Sequence, residues 1–116
     1  MAARTSPGPA TLGLLETGIR CFREGGFSIP QTAHAISVVD SYVHGFVLQE
    51  VNLPFRDESE LAAMTSAIMG TFPASEFPQL FEMTVEHVLQ PGYDYGDEFE
   101  FGLDLILDGL ERLKTA

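Results

Sequence analysis

The side chains best suited to proton transfer or metal ligation are His34, His44 and His87, and Cys21 is the only thiol. Catalysis or coordination would require such groups to converge. His34 and His44 stand ten residues apart in one segment of helical periodicity, almost three turns, so they cannot share a metal within one chain. No HExxH and no paired Cys/His spacing occurs. Cys21 has only Arg20 and Arg23 as basic sequence neighbours, and neither a Ser-His-Asp order nor a Gly-rich phosphate loop is present. The acids Asp94, Asp97, Glu98, Glu100 and Asp104 lack the spacing and the glycine of an EF-hand loop. They read better as a helix start, where carboxylates complement the macrodipole. The residues therefore point to no catalytic group, no metal site and no cofactor, and to a protein that is not an enzyme.

What remains is a surplus of soft and aromatic side chains. Met64, Met69, Phe72, Phe77, Phe81, Met83, Tyr42 and Phe46 fall on three different segments. Most suit a plain core, but such side chains repack around varied ligands, and pockets between bundle helices are common. A second feature is the pair Gly102 and Gly109, seven residues apart on one edge of an otherwise apolar segment. Glycine inside a helix costs up to about 1 kcal/mol relative to alanine. Two on one edge suggest close approach by another helix, as at a bundle interface.

The elements that must position these residues are set by breakers. Pro7-Gly8-Pro9, Gly25-Gly26, Pro54, Pro73 and Pro91-Gly92 divide the chain into five segments, each with helical spacing and none with the alternation of a strand. The first runs from Thr11 to Glu24 with a stripe of Leu12, Leu15, Ile19 and Phe22. The second runs from Ile29 to Asn52 and opens on a capping box, Ser28 with Gln31, with Pro30 in the first turn. One broad face of it is apolar, from Ala35 and Val38 to Val47. The other carries Ala33, Ser37, Ser41, Gly45 and Leu48, small residues rather than charges, which suggests cover on both sides. The third, Glu58–Met69, is capped by Asp57 with Glu60 and buries Leu61, Met64, Ala67 and Ile68. The fourth, Glu76–Leu89, takes Ser75 as its cap, and turns Phe77, Leu80, Phe81, Thr84, Val85 and Val88 inward. The fifth, Glu98–Leu113, takes Asp97 as its cap and Phe99, Leu103, Ile106, Leu110 and Leu113 as its central stripe.

A chain of 116 residues, 45% apolar, is one domain with a modest core of its own, and a partner surface would help it. Seventeen acids against six bases give a net charge of −11. Arg4, Arg20, Arg23, Arg56, Arg112 and Lys114 are scattered, so the chain lacks the clustered bases that release counterions from nucleic acid, and an anionic membrane would repel it. No apolar run approaches a membrane span, and the N-terminus lacks a signal peptide. A single cysteine excludes an internal disulfide and suits the reducing cytoplasm.

Two stretches carry a resemblance. Gly26-Phe27-Ser28, Ala33-His34-Ala35 and the run from Asp40 to Glu50 form the first, and Phe99 to Leu110 the second. Both resemble the C-terminal, all-helical domain of TetR-family transcriptional repressors. That resemblance implies an all-α, five-helix antiparallel bundle over residues 11–116, following a disordered or extended segment over residues 1–10. Those first residues, with Pro7 and Pro9, are too few for the family's helix-turn-helix, so any contact with nucleic acid would come only through an N-terminal domain missing here. The resemblance further implies a homodimer, formed as the second and fifth segments of each subunit pair into a four-helix bundle. Ser41, Gly45, Leu48, Gly102, Leu105, Ile106, Gly109 and Leu113 are its expected interface. It implies a small hydrophobic effector, with Tyr42, Phe46, Met64, Met69 and Phe81 as candidate pocket residues, and negative regulation of transcription by the full-length protein. The alternative is a free-standing helical interaction protein that pairs with a full-length repressor subunit.

Overall fold

The breakers Gly25-Gly26, Pro54, Pro73 and Pro91-Gly92 each follow a helical segment. The computed structural model describes residues 8–115 and contains α1 (Pro9–Glu24), α2 (Ile29–Val51), α3 (Glu58–Thr71), α4 (Pro78–Met83) and α5 (Asp97–Glu111). A π-helical turn, Thr84–Val88, continues α4, and a 3-10 turn, Arg112–Thr115, continues α5. Among the described residues there is no strand, so the fold is all-α. α1 starts at Pro9, two residues before its expected start, with proline in the first turn where its missing N–H costs nothing. Residues 1–7 of the expected extended segment lie outside the described residues.

The chain divides into two units, one made of the residues up to Phe46 with those from Glu100 onward, the other of Val47–Phe99. The first is organised by the end of α1. Gly26 takes φ 103°, a conformation that side-chain-bearing residues rarely adopt. This lets the Gly26 N–H donate to the Arg23 carbonyl and the Phe27 N–H to the Phe22 carbonyl, both at 3.1 Å. The pattern is a Schellman stop, and its usual apolar contact is present: the Phe22 and Phe27 rings meet edge to face at 5.4 Å. Phe27 is thereby delivered to the core, where it joins fully buried Ala35 of α2 and Leu110 of α5, flanked by Val39, Ile106 and Leu113. Lys114 closes the same turn. Its ammonium donates to the Gly25 carbonyl at 2.8 Å, pairs with Glu111 at 2.6 Å and lies 5.3 Å from the centre of the Phe27 ring.

The α2 capping box forms as the sequence predicts. The Ser28 N–H donates to Gln31 Oε1 at 3.0 Å, and the Gln31 N–H to Ser28 Oγ at 3.2 Å. Gln31 then donates from Nε2 to the Leu113 carbonyl at 2.7 Å, tying the start of α2 to the end of α5. Further along, Tyr42 of α2 lies over Gly102 of α5: a Cβ there would stand 2.7 Å from Tyr42 Cζ and 3.0 Å from Cε1. Glycine at 102 is thus required by a close approach within the chain.

In the second unit, α3 begins at Asp57, whose carboxylate accepts the Glu60 N–H at 2.8 Å, while Glu60 accepts from Arg56 rather than from Asp57 itself. Leu61 and Thr65 are its buried residues, and Thr65 donates its hydroxyl to the Leu61 carbonyl at 2.8 Å. α4 departs from expectation. Ser75 does not cap it, and it starts at Pro78 with Phe77 outside the helix, because a residue before proline is driven off the α region. Phe77, Leu80 and Val85, expected inward, are exposed. α5 begins one residue early, with Asp97 inside the helix rather than capping it.

Two glycine-to-alanine substitutions separate close approach from mere tolerance. Gly13, in α1, has nothing within 4 Å of an added Cβ, so Gly13→Ala is expected to raise stability by up to about 1 kcal/mol. Gly102→Ala must displace the Tyr42 ring and is expected to lower stability by about 1–3 kcal/mol. Thermal unfolding followed by circular dichroism checks both, and equal effects at the two positions would refute the close approach.

Candidate functional site

The Val47–Phe99 unit contains an apolar cavity of about 310 Å³. α3 contributes Leu61, Met64, Thr65, Ile68 and Met69, each with another three or four residues away on one helix face. α4 and the π turn contribute Leu80, Phe81, Met83, Thr84 and Val88, and the flanking loops contribute Leu53, Phe55, Tyr93 and Tyr95. The two threonines of the wall are satisfied within their own helices, Thr65 as described and Thr84 by donating to the Leu80 carbonyl at 2.8 Å. The wall of this cavity is therefore mainly apolar. The π turn widens the helix here, with the Leu89 N–H reaching back to the Thr84 carbonyl at 2.9 Å. Such insertions are frequent at functional sites.

A second cavity, of about 450 Å³, shares Leu53, Phe55, Leu61, Tyr93 and Tyr95 with the first and adds Glu50, Arg56, Asp57, Glu58 and Asp94. The loop between them is held by backbone donors. Gly92, at φ 83°, donates its N–H to Glu58 Oε1 at 2.8 Å, and Gly96 donates to Asp94 Oδ1 at 2.9 Å. Tyr95 donates its hydroxyl to Gln49 Oε1 at 2.8 Å. Tyr93 packs edge to face on His87 at 5.5 Å, and His87 Nε2 is 3.2 Å from Glu98. Burial, then the negative charges of Glu98, Tyr95 and Asp94, push the Tyr93 phenol above its ordinary value of 10.0.

Of the five pocket residues expected from the sequence, the structure brings Met64, Met69 and Phe81 together in the apolar cavity. Tyr42 and Phe46 do not line it. They belong to the other unit, with ring centres 6.1 Å apart and Tyr42 over Gly102. Sequence reasoning missed Tyr93 and Tyr95. Their signal was available as two aromatics beside Pro91-Gly92, but periodicity says nothing about loop residues. Of the expected interface residues, Ser41, Gly45, Leu48 and Leu105 are exposed. Ile106 and Leu113 pack on the core of their own chain, and Gly102 lies under Tyr42. Gly109 has only Arg112 near it, at 3.8 Å. His44 Nδ1 contacts the Asp40 carbonyl of its own helix at 2.8 Å. Among the described residues no three His, Cys, Asp or Glu side chains are grouped as metal ligands would be, and no helix is long and apolar enough to cross a membrane.

The raised Tyr93 value has a direct consequence. A folded value above the unfolded one means that the neutral phenol is favoured by folding. That contribution is fully present below pH 10 and is lost as pH rises through the folded value. An alkaline titration of denaturation midpoints is expected to fall above pH 10 in the native chain and to fall less in Tyr93→Phe. Parallel curves would show that Tyr93 does not sense its acidic neighbours.

Residues 1–113 match the family model of the tetracyclin repressor-like, C-terminal domain. No curated protein and no solved structure matches the chain. Domains of this family are parts of regulators rather than enzymes. With its all-helical architecture, and a match that spans nearly the whole sequence, the chain belongs to the tetracyclin repressor-like, C-terminal domain family.

Proposed function

We propose that this domain dimerises and binds an effector on behalf of a TetR-type repressor, and that it lowers operator affinity when the effector is bound. The observation that carries the reading is unpartnered apolar surface on the two helices that the family pairs between subunits. On α5, Phe101 and Leu105 are 67% and 61% exposed, although the opposite stripe of the same helix packs on the core. On α2, Leu48 is 63% exposed and follows exposed Ser41 and Gly45 at helical spacing. Small residues beside large apolar ones let two backbones approach closely and still bury area, worth about 25 cal/mol per Å². Of the expected interface, Ser41, Gly45 and Leu105 form the outward set of the first unit and face the second subunit, with half-buried Gly109 one turn beyond Leu105. Gly102, Ile106 and Leu113 support them from behind.

The cavity walled by Met64, Met69 and Phe81 is the effector site. Its methionines adapt to ligands of different shape, and its apolar walls supply most of the affinity. Operator contact is left to a separate helix-turn-helix domain, because a chain of net charge −11 with scattered bases does not hold phosphates. Effector binding changes the separation of the DNA-binding heads, so effector and operator affinities are coupled reciprocally. The protein works in the cytoplasm, where the exposed free thiol of Cys21 stays reduced.

Oligomeric mass tests the dimer. Light scattering on the eluting chain is expected to give twice its 12.7 kDa mass, and Leu105→Glu or Gly109→Glu is expected to give the single-chain mass with retained helicity. A single-chain mass for the native protein at micromolar concentration would refute the reading.

A further inference from the structure

We infer that the recess between α1 and α2 is a second ligand site and takes an amphipathic carboxylate: a hydrocarbon body against Ile19, Ile29 and Ile36, and a carboxylate on the Arg23 guanidinium and the Thr32 hydroxyl. The recess belongs to the first unit and shares no residue with the cavity of Met64, Met69 and Phe81, so it stands apart from the effector reading of that cavity.

One face of each helix builds the walls. Ile19 and Arg23 come from α1, and Ile29, Thr32, Ala33 and Ile36 from α2, around a volume of about 370 Å³. Recesses of a few hundred Å³ suit small organic ligands. Its apolar part is uncovered, with Ile19 exposed and Ile29 69% exposed. Thr32, by contrast, is buried, yet its hydroxyl has no hydrogen-bond partner. Thr17, Thr65, Thr71 and Thr84 all return their hydroxyls to the carbonyl four residues back. For Thr32 that carbonyl belongs to Ser28, and it accepts the Thr32 N–H instead, at 2.8 Å. A buried hydroxyl without a partner is costly, and in the wall of a recess it is a ready donor to a ligand. Arg23 supplies the charge. Its Nη1 donates to the Phe27 carbonyl at 2.9 Å, which fixes the guanidinium at the end of α1, and among the described residues no carboxylate pairs with it. Although the chain carries a net charge of −11, no acid lines this recess. A base without a counter-charge, a hydroxyl without an acceptor and an apolar wall together select a carboxylate over an alcohol or an ammonium head.

Octanoate, octan-1-ol and octylammonium test the head group, and labelling of isoleucine Cδ1 methyls tests the place. Ile19, Ile29 and Ile36 report this recess, whereas Ile68 reports the cavity of Met64, Met69 and Phe81. Octanoate is expected to shift the first three methyls and to bind there roughly tenfold more tightly than the alcohol, with the ammonium weakest. Arg23→Gln should remove the preference and leave alcohol binding unchanged, which also reports that the variant is folded. Thr32→Val keeps the shape and deletes the unpartnered hydroxyl. It should raise the unfolding midpoint of the free chain and yet weaken octanoate about fivefold. Equal affinity for octanoate and the alcohol, tightest binding of the ammonium, or unchanged octanoate affinity in Thr32→Val overturns the carboxylate assignment. Shifts confined to Ile68, or none at the three methyls with millimolar probe, overturn the recess as a site while leaving the effector cavity to stand or fall on Ile68. An Ile29 methyl that moves with protein concentration in the absence of probe would show a second copy covering the recess, which also overturns it.

Discussion

Tyr42 resting on the bare backbone of Gly102 sets how α2 and α5 face each other, and much else in the first unit follows. A side chain at 102 would have to displace the end of the Tyr42 ring. Elsewhere between the same helices Ala35 and Leu110 are buried together with Phe27. The same registration decides what is left outside. If Leu103, Ile106, Leu110 and Leu113 turn inward, then Phe101 and Leu105 must turn outward, because successive residues on a helix lie about 100° apart. The apolar surface offered to a partner is the geometric complement of the core.

The second unit solves a different problem, since it presents an open apolar recess on a small structure. Here the distance between α3 and α4 is held from the ends. Glu58, in the first turn of α3, accepts the N–H of Gly92, so the loop after the π turn is pinned where it brings Tyr93 and Tyr95 to the cavity edge. Only glycine adopts the φ of 83° at that point without strain. The π turn itself shifts the phase of α4, so that Thr84 and Val88 join Leu80 and Phe81 in the lining.

Local chemistry was the most legible part of the sequence. Ser28 with Gln31, and Asp57 with Glu60, are caps made within four residues, and they form because nothing distant competes with them. The five helices were legible for the same reason, each having a stripe and a breaker. The start of α4 was also written in the chain, as Phe77 before Pro78, but the apolar stripe outweighed that rule in the reading. Partner identity was not legible. Periodicity marked Gly102 and Gly109 as one bare edge, yet Tyr42 covers Gly102 and no such ring covers Gly109, and a helical wheel carries no information on which helix comes close. The cavity shows the same division. Met64, Met69 and Phe81 could be grouped from spacing, whereas Tyr93 and Tyr95 arrive by a loop whose course depends on the Glu58 contact.

The distribution of charge connects these levels. A surplus of acids weakens a compact state through self-repulsion, so placing several of them around one recess is costly unless something compensates. Asp57, Glu58 and Asp94 are partly compensated by helix-start and loop N–H groups. Backbone dipoles carry no net charge, however, and the one nearby guanidinium leaves the balance negative. Tyr93 beside the recess holds its proton, first because it is partly buried and then because of Glu98, Tyr95 and Asp94.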